Sequence, residues 1–129
     1  MGKSFFVLVG GATTVAGVDL AHKAATGPVF VHERSAFYAF GIVLVCLAWA
    51  CGVVLLGSPS IALAAGPVVG GAVGNGLSLA IWPGVPNPIL VSSIAFNIAD
   101  VAVAVGLALL LLTTVAFGVR NRARLFEPI

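Results

Sequence analysis

Four apolar segments dominate the chain, separated by short breaks that contain polar residues, glycine or proline. They cover about residues 4–21, 36–56, 60–81 and 94–119. A helix needs roughly 20 predominantly apolar residues to cross the hydrocarbon core of a bilayer. The pattern therefore predicts a single all-α membrane domain over residues 1–129, built from four transmembrane helices.

The composition agrees with this pattern. Of the 129 residues, 60% are hydrophobic and only 8% are charged, and the mean hydropathy is +1.19. A soluble domain carries roughly 25% charged residues, so this chain has too few polar side chains to cover a water-exposed surface. The composition excludes a soluble globular domain, and the length leaves no room for one beside the helices.

Basic residues flank the apolar region. Lys3 precedes the first segment, and Arg120, Arg122 and Arg124 follow the last one. Loops rich in lysine and arginine stay on the cytoplasmic side of a membrane, so both termini are predicted to be cytoplasmic and the number of spans even. The basic tail is typical of such a topology signal and of contact with anionic lipid headgroups. We expect membrane lipid, and no nucleic acid, as its partner.

In the predicted topology, the charged residues between the termini and two asparagines fall near the outer ends of the helices. They are Asp19, Lys23, Glu33, Arg34, Asn75, Asn97 and Asp100. An acid within an apolar segment is costly and is a functional hypothesis by default, and Asp100 lies just inside the last segment. We therefore predict a polar pocket at the outer face of a four-helix bundle.

The pair Asp19 and Lys23 allows two interpretations. The residues are four positions apart, with the acid first, which is the favourable order for an ion pair on a helix. Either they form an interfacial pair that marks the membrane boundary, or they orient groups deeper in the pocket. Spacing alone favours the interfacial pair.

Small residues characterise the third segment, where Gly66, Gly70 and Gly74 recur every fourth position. Such a face lets another helix approach closely, and a helix of a larger membrane complex is one candidate partner. Cys46 and Cys51 lie on different faces of the second segment, too far apart for an unstrained disulfide. Without a Cys/His cluster, we expect no metal and no cofactor.

Two breaks are predicted not to be helical. Residues 82–88 (WPGVPNP) contain three alternating prolines, whose fixed φ angles exclude a helix. Residues 29–34 (VFVHER) are apolar and β-branched before they become charged, which favours an extended or interfacial segment.

Four motifs, in this order along the chain, resemble the lipoprotein signal peptidase (signal peptidase II) family. Asp19 and Lys23 resemble its Asp-x-x-x-Lys motif, and residues 31–37 (VHERSAF) its Val-His-Asn-Arg segment, with Glu33 in place of the asparagine. Residues 70–75 (GGAVGN) and 96–100 (FNIAD) resemble its two later blocks. The Phe-Asn-x-Ala-Asp block is the most specific of the four.

The resemblance implies a four-helix aspartyl protease of the bacterial inner membrane. That family removes the signal peptide from prolipoproteins whose cysteine carries a diacylglyceryl group. One of its two catalytic aspartates activates water and the other protonates the leaving group, and Asp100 matches one of them. Asp19, Lys23, Glu33, Arg34, Asn75 and Asn97 are then expected around the site.

At the second acid the sequence departs from the family pattern. Where the family has Gly-Asn-x-x-Asp-Arg, residues 74–79 (GNGLSL) lack both the acid and the arginine. Where the later segment carries the second catalytic aspartate, this chain has Asn87. Because an amide does not titrate, the resemblance implies a retained fold with impaired chemistry.

Three functions remain open at this stage. The first is a signal peptidase II homologue that binds lipid, a lipoprotein signal or a protein without cleaving it. The second is an active peptidase in which Glu33 or another group replaces the missing acid. The third is a structural subunit of a larger membrane complex. The first interpretation is preferred because Asn87 stands where the second acid is expected.

Overall fold

The computed structural model describes residues 2–33 and 35–122, which form four helices and four short strands. The helices are α1 (Gly2–Thr26), α2 (Ala36–Leu55), α3 (Pro59–Ile81) and α4 (Ile98–Arg120). The strands are β1 (Phe30–His32), β2 (Val85–Asn87), β3 (Ile89–Val91) and β4 (Ile94–Phe96). Arg34 and Arg124, which enter the predictions above, lie outside the described residues.

The helices confirm the predicted helical fold class, with short strands added. Among the described residues, α1, α3 and α4 are long and apolar enough to cross a membrane, whereas the corresponding apolar stretch of α2 is Ala39–Leu55. Large apolar side chains of α4, such as Leu111 and Leu112, are exposed on the outside of the bundle, as expected for a lipid-facing surface. Four spans and cytoplasmic termini stay predictions.

The start of the fourth segment is corrected by the structure. Residues 94–96 form β4, which pairs with β3 through a turn in which Ser92 has a φ of 55°, and α4 begins only at Ile98. Asn97 is the N-cap residue of α4, and its side chain accepts a hydrogen bond from the backbone N–H of Asp100. A continuous apolar run cannot distinguish a strand from the helix that follows it.

Both breaks predicted to be non-helical contain a strand, and the two strands pair with each other. β1 and β2 are antiparallel, with Phe30 opposite Asn87 and His32 opposite Val85. This pairing gives Phe30–His32 the extended conformation, one of the two alternatives expected for this segment. It also holds the segment that carries Asn87 at the end of the bundle where α4 begins.

The central helix of the bundle is α3, which packs against the other three helices. Its glycine face is covered by α1: a Cβ at Gly66 would lie 3.3 Å from the Cα of Gly11, and one at Gly70 would lie 2.5 Å from the backbone oxygen of Ala12. The small residues therefore serve close packing within the chain. The predicted partner helix at Gly66, Gly70 and Gly74 is left without structural support.

Candidate functional site

Asp19 and Lys23 face α3 from the last turns of α1, and both side chains are buried with relative exposures of 0% and 2%. Lys23 Nζ lies 2.6 Å from Asp19 Oδ2. The favoured interpretation of an interfacial ion pair was therefore wrong. The reason is that the glycines of α3 let α1 approach so closely that this face of α1 is removed from lipid and water.

Lys23 reaches two further acceptors on α3. Its Nζ donates to Asn75 Oδ1 at 2.8 Å and to Ser78 Oγ at 2.9 Å, while the Ser78 hydroxyl donates to the backbone oxygen of Gly74. An ammonium group has three donors, and Asp19, Asn75 and Ser78 accept from all of them. The buried cation is thus paired and fully hydrogen-bonded, which its burial requires.

Asp19 also binds the beginning of α4. Its Oδ1 accepts a hydrogen bond from the backbone N–H of Ala99 at 3.0 Å. This N–H belongs to the first turn of the helix, where backbone donors lack a partner within the helix. A carboxylate is also favoured there by the helix dipole. Asp19 therefore binds both Lys23 on α1 and the first turn of α4.

Asp100 and Asn97 form a capping box at the start of α4. The Asn97 side chain accepts from the Asp100 backbone N–H at 3.0 Å, and Asp100 Oδ2 accepts from the Asn97 backbone N–H at 3.1 Å. Asp100 Oδ1 accepts from Asn75 Nδ2 at 3.0 Å. Asn75 and Asn97 are therefore both hydrogen-bonded to Asp100, and both carboxyl oxygens of Asp100 accept a hydrogen bond.

Asn87 is connected to Asp100 only through Asn97. Asn97 Nδ2 donates to Asn87 Oδ1 at 2.7 Å and, more weakly, to the backbone oxygen of Pro86 at 3.4 Å. Asn87 is buried with 7% relative exposure, so it does not point to solvent. One hydrogen-bonded network thus contains six of the predicted polar residues, namely Asp19, Lys23, Asn75, Asn87, Asn97 and Asp100. These six residues lie together at one end of the bundle, and their role as a site stays a prediction.

Glu33 is not part of this network. It follows β1, its side chain is exposed, and no hydrogen bond joins it to Asp100 among the described residues. In residues 2–33 and 35–122, Asp19, Glu33 and Asp100 are the acids. Asp19 is committed to Lys23 and Ala99, so Asp100 has no second carboxylate bonded to it in this part of the chain.

A cavity of about 270 Å³ lies between α2, α3 and α4, with Asp100 and Asn75 in its wall. The remaining wall is apolar or small and includes Ile42, Cys46, Val68, Ala72, Val85 and Val103. The cavity forms because α2 and α4 both pack on α3 but make few contacts with each other. The polar network therefore presents one carboxylate and one amide to an otherwise apolar space.

Metal binding has no structural basis in the described residues, because no group of three or more histidine, cysteine, aspartate or glutamate side chains there is placed to hold an ion. Cys46 and Cys51 are free thiols. Cys46 lines the cavity, a position that was not predicted from the sequence.

Like Cys46, Ser78 was not predicted from the sequence to lie at the site. It stands where the family motif has an aspartate, and its hydroxyl accepts from Lys23. The available signal was its spacing of three residues from Asn75, which places both side chains on one face of α3.

Replacing Asn97 by alanine is expected to destabilise the start of α4. The change removes the N-cap acceptor, which typically contributes about 1 kcal/mol, and leaves the buried Asn87 Oδ1 without its donor. Backbone amide exchange at Ala99 and Asp100 should accelerate, while exchange in the middle of α1 stays unchanged. Unchanged exchange at Asp100 would contradict the assigned capping box. Asn121→Ala is a control, since Asn121 bonds at the other end of α4.

Comparison with known proteins identifies the family. The family model described as Signal peptidase (SPase) II matches residues 8–116, more than four fifths of the chain and all the residues of the network. A comparison with curated protein sequences gives no significant match. The family resemblance noted in the sequence is therefore confirmed. This chain belongs to the signal peptidase II family of membrane proteins.

Proposed function

We propose that this family member has lost its peptidase activity and binds a lipid-bearing ligand, such as a diacylglyceryl-modified prolipoprotein, in the cavity beside Asp100. In this proposal the polar end of the bundle lies near the outer leaflet of a bacterial cytoplasmic membrane, and both termini are cytoplasmic. The membrane-spanning helices are the framework that holds the binding site.

The loss of catalysis is argued from the bond network around Asp100. An aspartyl protease needs two carboxylates that share a proton, so that one acts as base and the other as acid. The observation that carries the proposal is that Asn97 bridges Asn87 Oδ1 and the Asp100 backbone N–H. An amide, which cannot exchange a proton in this role, therefore occupies the position that matches the second acid.

The alternative acids do not compensate for Asn87. Asp19 has both oxygens engaged, one by Lys23 and the other by the Ala99 N–H. Glu33 is exposed and lies outside the network. A peptidase that uses Glu33 would require this residue to move into the cavity, so it is the less favoured hypothesis.

The binding role is argued from the cavity. Ligand sites are typically concave, largely apolar and supplied with a few placed polar groups. Here the wall is apolar except for Asn75 and Asp100, which suits a ligand with one polar group joined to lipid chains. The two polar groups are fixed in place by Asn97 and Lys23, so little ordering is needed on binding.

The test is a cleavage and binding assay with a synthetic diacylglyceryl-modified prolipoprotein peptide and the protein in detergent micelles. We expect no release of signal peptide by the native protein or by Asp100→Asn, while an active family member cleaves the same peptide in parallel. Fluorescence anisotropy should show binding of the lipidated peptide and much weaker binding of the same peptide without its lipid.

Two outcomes would contradict the proposal. Cleavage by the native protein that is abolished in Asp100→Asn would show that a peptidase is retained, and Glu33→Gln would then identify the second acid. Equal binding of lipidated and unlipidated peptide would show that the cavity does not recognise lipid.

A further inference from the structure

Asp100 keeps hydrogen-bonding capacity that the protein does not use. A carboxylate offers about four acceptor positions, and two of them are occupied, one by Asn75 Nδ2 and one by the Asn97 N–H. The side chain is half-buried and lines the cavity. The unused positions are therefore available to a donor that enters this space.

Asp100 forms no direct ion pair with Lys23, the cation of the network. Lys23 forms its ion pair with Asp19 and reaches Asp100 only through the Asn75 amide, whose oxygen faces Lys23 and whose nitrogen faces Asp100. Within residues 2–33 and 35–122, the Lys23–Asp19 pair is the one ion pair. The cavity thus presents a carboxylate whose described partners are neutral.

A carboxylate in an apolar wall favours a cation as its partner, because a charge away from water is costly unless it is paired. A water molecule takes up about 30 Å³ in the liquid. The cavity of about 270 Å³ therefore has room for a small headgroup and the first carbons of a chain. The cleft between α2 and α4 leaves space for the rest of the chain to extend into lipid.

From these observations we infer that the cavity binds a primary ammonium group carried on a lipid chain, with Asp100 as the acceptor. This inference rests on the proposed ligand-binding function and narrows its ligand to a lipid with a free amine, a group that the lipidated cysteine of an uncleaved prolipoprotein lacks. Two sources share this chemistry. One is the headgroup of an aminophospholipid. The other is the new α-amino group that appears on a diacylglyceryl-cysteine when the peptide bond before it is hydrolysed.

The two cysteines provide a reporter and a matched control on the same helix. Cys46 lines the cavity, whereas Cys51 is exposed elsewhere on α2. In the Cys51→Ser variant, N-ethylmaleimide alkylates the remaining thiol, Cys46. The rate of this reaction, measured by mass spectrometry, reports access to the cavity. In Cys46→Ser, the same reaction at Cys51 reports general effects of an amphiphile on the micelle. The probes are dodecylamine, dodecanol and dodecanoate, which share a chain and differ in headgroup.

We expect dodecylamine to slow alkylation of Cys46 at about tenfold lower concentration than dodecanol, the ratio for one charge-assisted hydrogen bond. Dodecanoate should protect least, because it places a second negative charge beside Asp100. Alkylation of Cys51 should not depend on the headgroup. In Asp100→Asn the preference for the amine should disappear. Ala72→Phe, which places a larger side chain in the cavity wall, should abolish protection by all three probes.

The source of the ammonium group is distinguished with the same readout. Phosphatidylethanolamine is compared with phosphatidylglycerol, and S-diacylglyceryl-cysteinyl-serine with its N-acetylated form. If phosphatidylethanolamine protects Cys46 and phosphatidylglycerol does not, the source is an aminophospholipid. If the free dipeptide protects Cys46 and its N-acetylated form does not, the source is the α-amino group of a diacylglyceryl-cysteine. Either result supports the inference. Equal protection within both pairs overturns it.

Failure of the inference is separable from failure of the proposed function. Equal protection of Cys46 by all three headgroups overturns the ammonium preference and leaves lipid binding intact. No protection by any probe, together with no binding of the lipidated peptide, overturns both. An amine preference that persists in Asp100→Asn overturns the assignment of Asp100 as the acceptor.

Discussion

Replacing Lys23 by methionine is expected to lower the free energy of unfolding by about 3–5 kcal/mol, the usual loss when one partner of a buried ion pair is removed. The Asp19 carboxylate would stay fully buried without its cation. Asn75 Oδ1 and Ser78 Oγ would each lose a charged donor. The loss is large because Lys23 is bonded to three side chains on two helices, and two of them, Asp19 and Ser78, are fully buried.

The measurement is equilibrium unfolding in mixed micelles, followed by circular dichroism. Lys3→Met is the matched control, since Lys3 is exposed and a surface substitution usually stays within about 0.5 kcal/mol. The double variant Asp19→Asn/Lys23→Met should be more stable than Lys23→Met, because no unpaired charge remains buried and the introduced amide oxygen can still accept from the Ala99 N–H. A Lys23→Met variant as stable as Lys3→Met would contradict the buried pair.

Replacing Gly70 by alanine is the second substitution for which we expect a large effect. The new Cβ would lie 2.5 Å from the backbone oxygen of Ala12, 2.9 Å from its Cα and 2.8 Å from the Cβ of Val15. Alanine is favoured over glycine in a helix by about 1 kcal/mol, but overpacking typically costs about 1–3 kcal/mol and sometimes more. Because the contact is with backbone that cannot rotate away, the clash should dominate.

Gly17→Ala is the matched control for this prediction. Gly17 lies on α1, and a Cβ added there would have no neighbouring atom within 4 Å, so the same change should be neutral or stabilising. The expected result is a lower unfolding midpoint for Gly70→Ala and an equal or higher one for Gly17→Ala. If both variants shifted in the same direction, the close packing of α1 on α3 would be disproved.

The polar residues show how far sequence reasoning reached. Their predicted position at one end of the bundle follows from the topology of the apolar segments. The structure joins six of them in one hydrogen-bonded network, namely Asp19, Lys23, Asn75, Asn87, Asn97 and Asp100. The prediction that Asp19 and Lys23 form an exposed interfacial pair was wrong, because the same i,i+4 spacing occurs on buried and on exposed helix faces. Only the approach of α1 to α3 distinguishes the two.

The β-hairpin of β3 and β4 illustrates a second limit. Its strand Ile94–Phe96 is separated from the apolar run of α4 by the single polar residue Asn97, so hydrophobicity alone placed it in the helix. The boundary is set by the capping box of Asn97 and Asp100. The two residue types were visible in the sequence, but their interpretation as a site obscured their role as a cap.

The sequence by itself determined the membrane class, the four helical segments, the family and the absence of an acid at position 87. These properties depend on the length of apolar runs and on which residue types recur at fixed spacing, and both can be read along the chain. The tertiary structure decided which polar atoms bond to one another and that an apolar cavity opens beside Asp100. Those contacts join residues as far apart as Asp19 and Ala99, separated by 80 positions, and hydrogen bonds at such separations depend on how the helices pack.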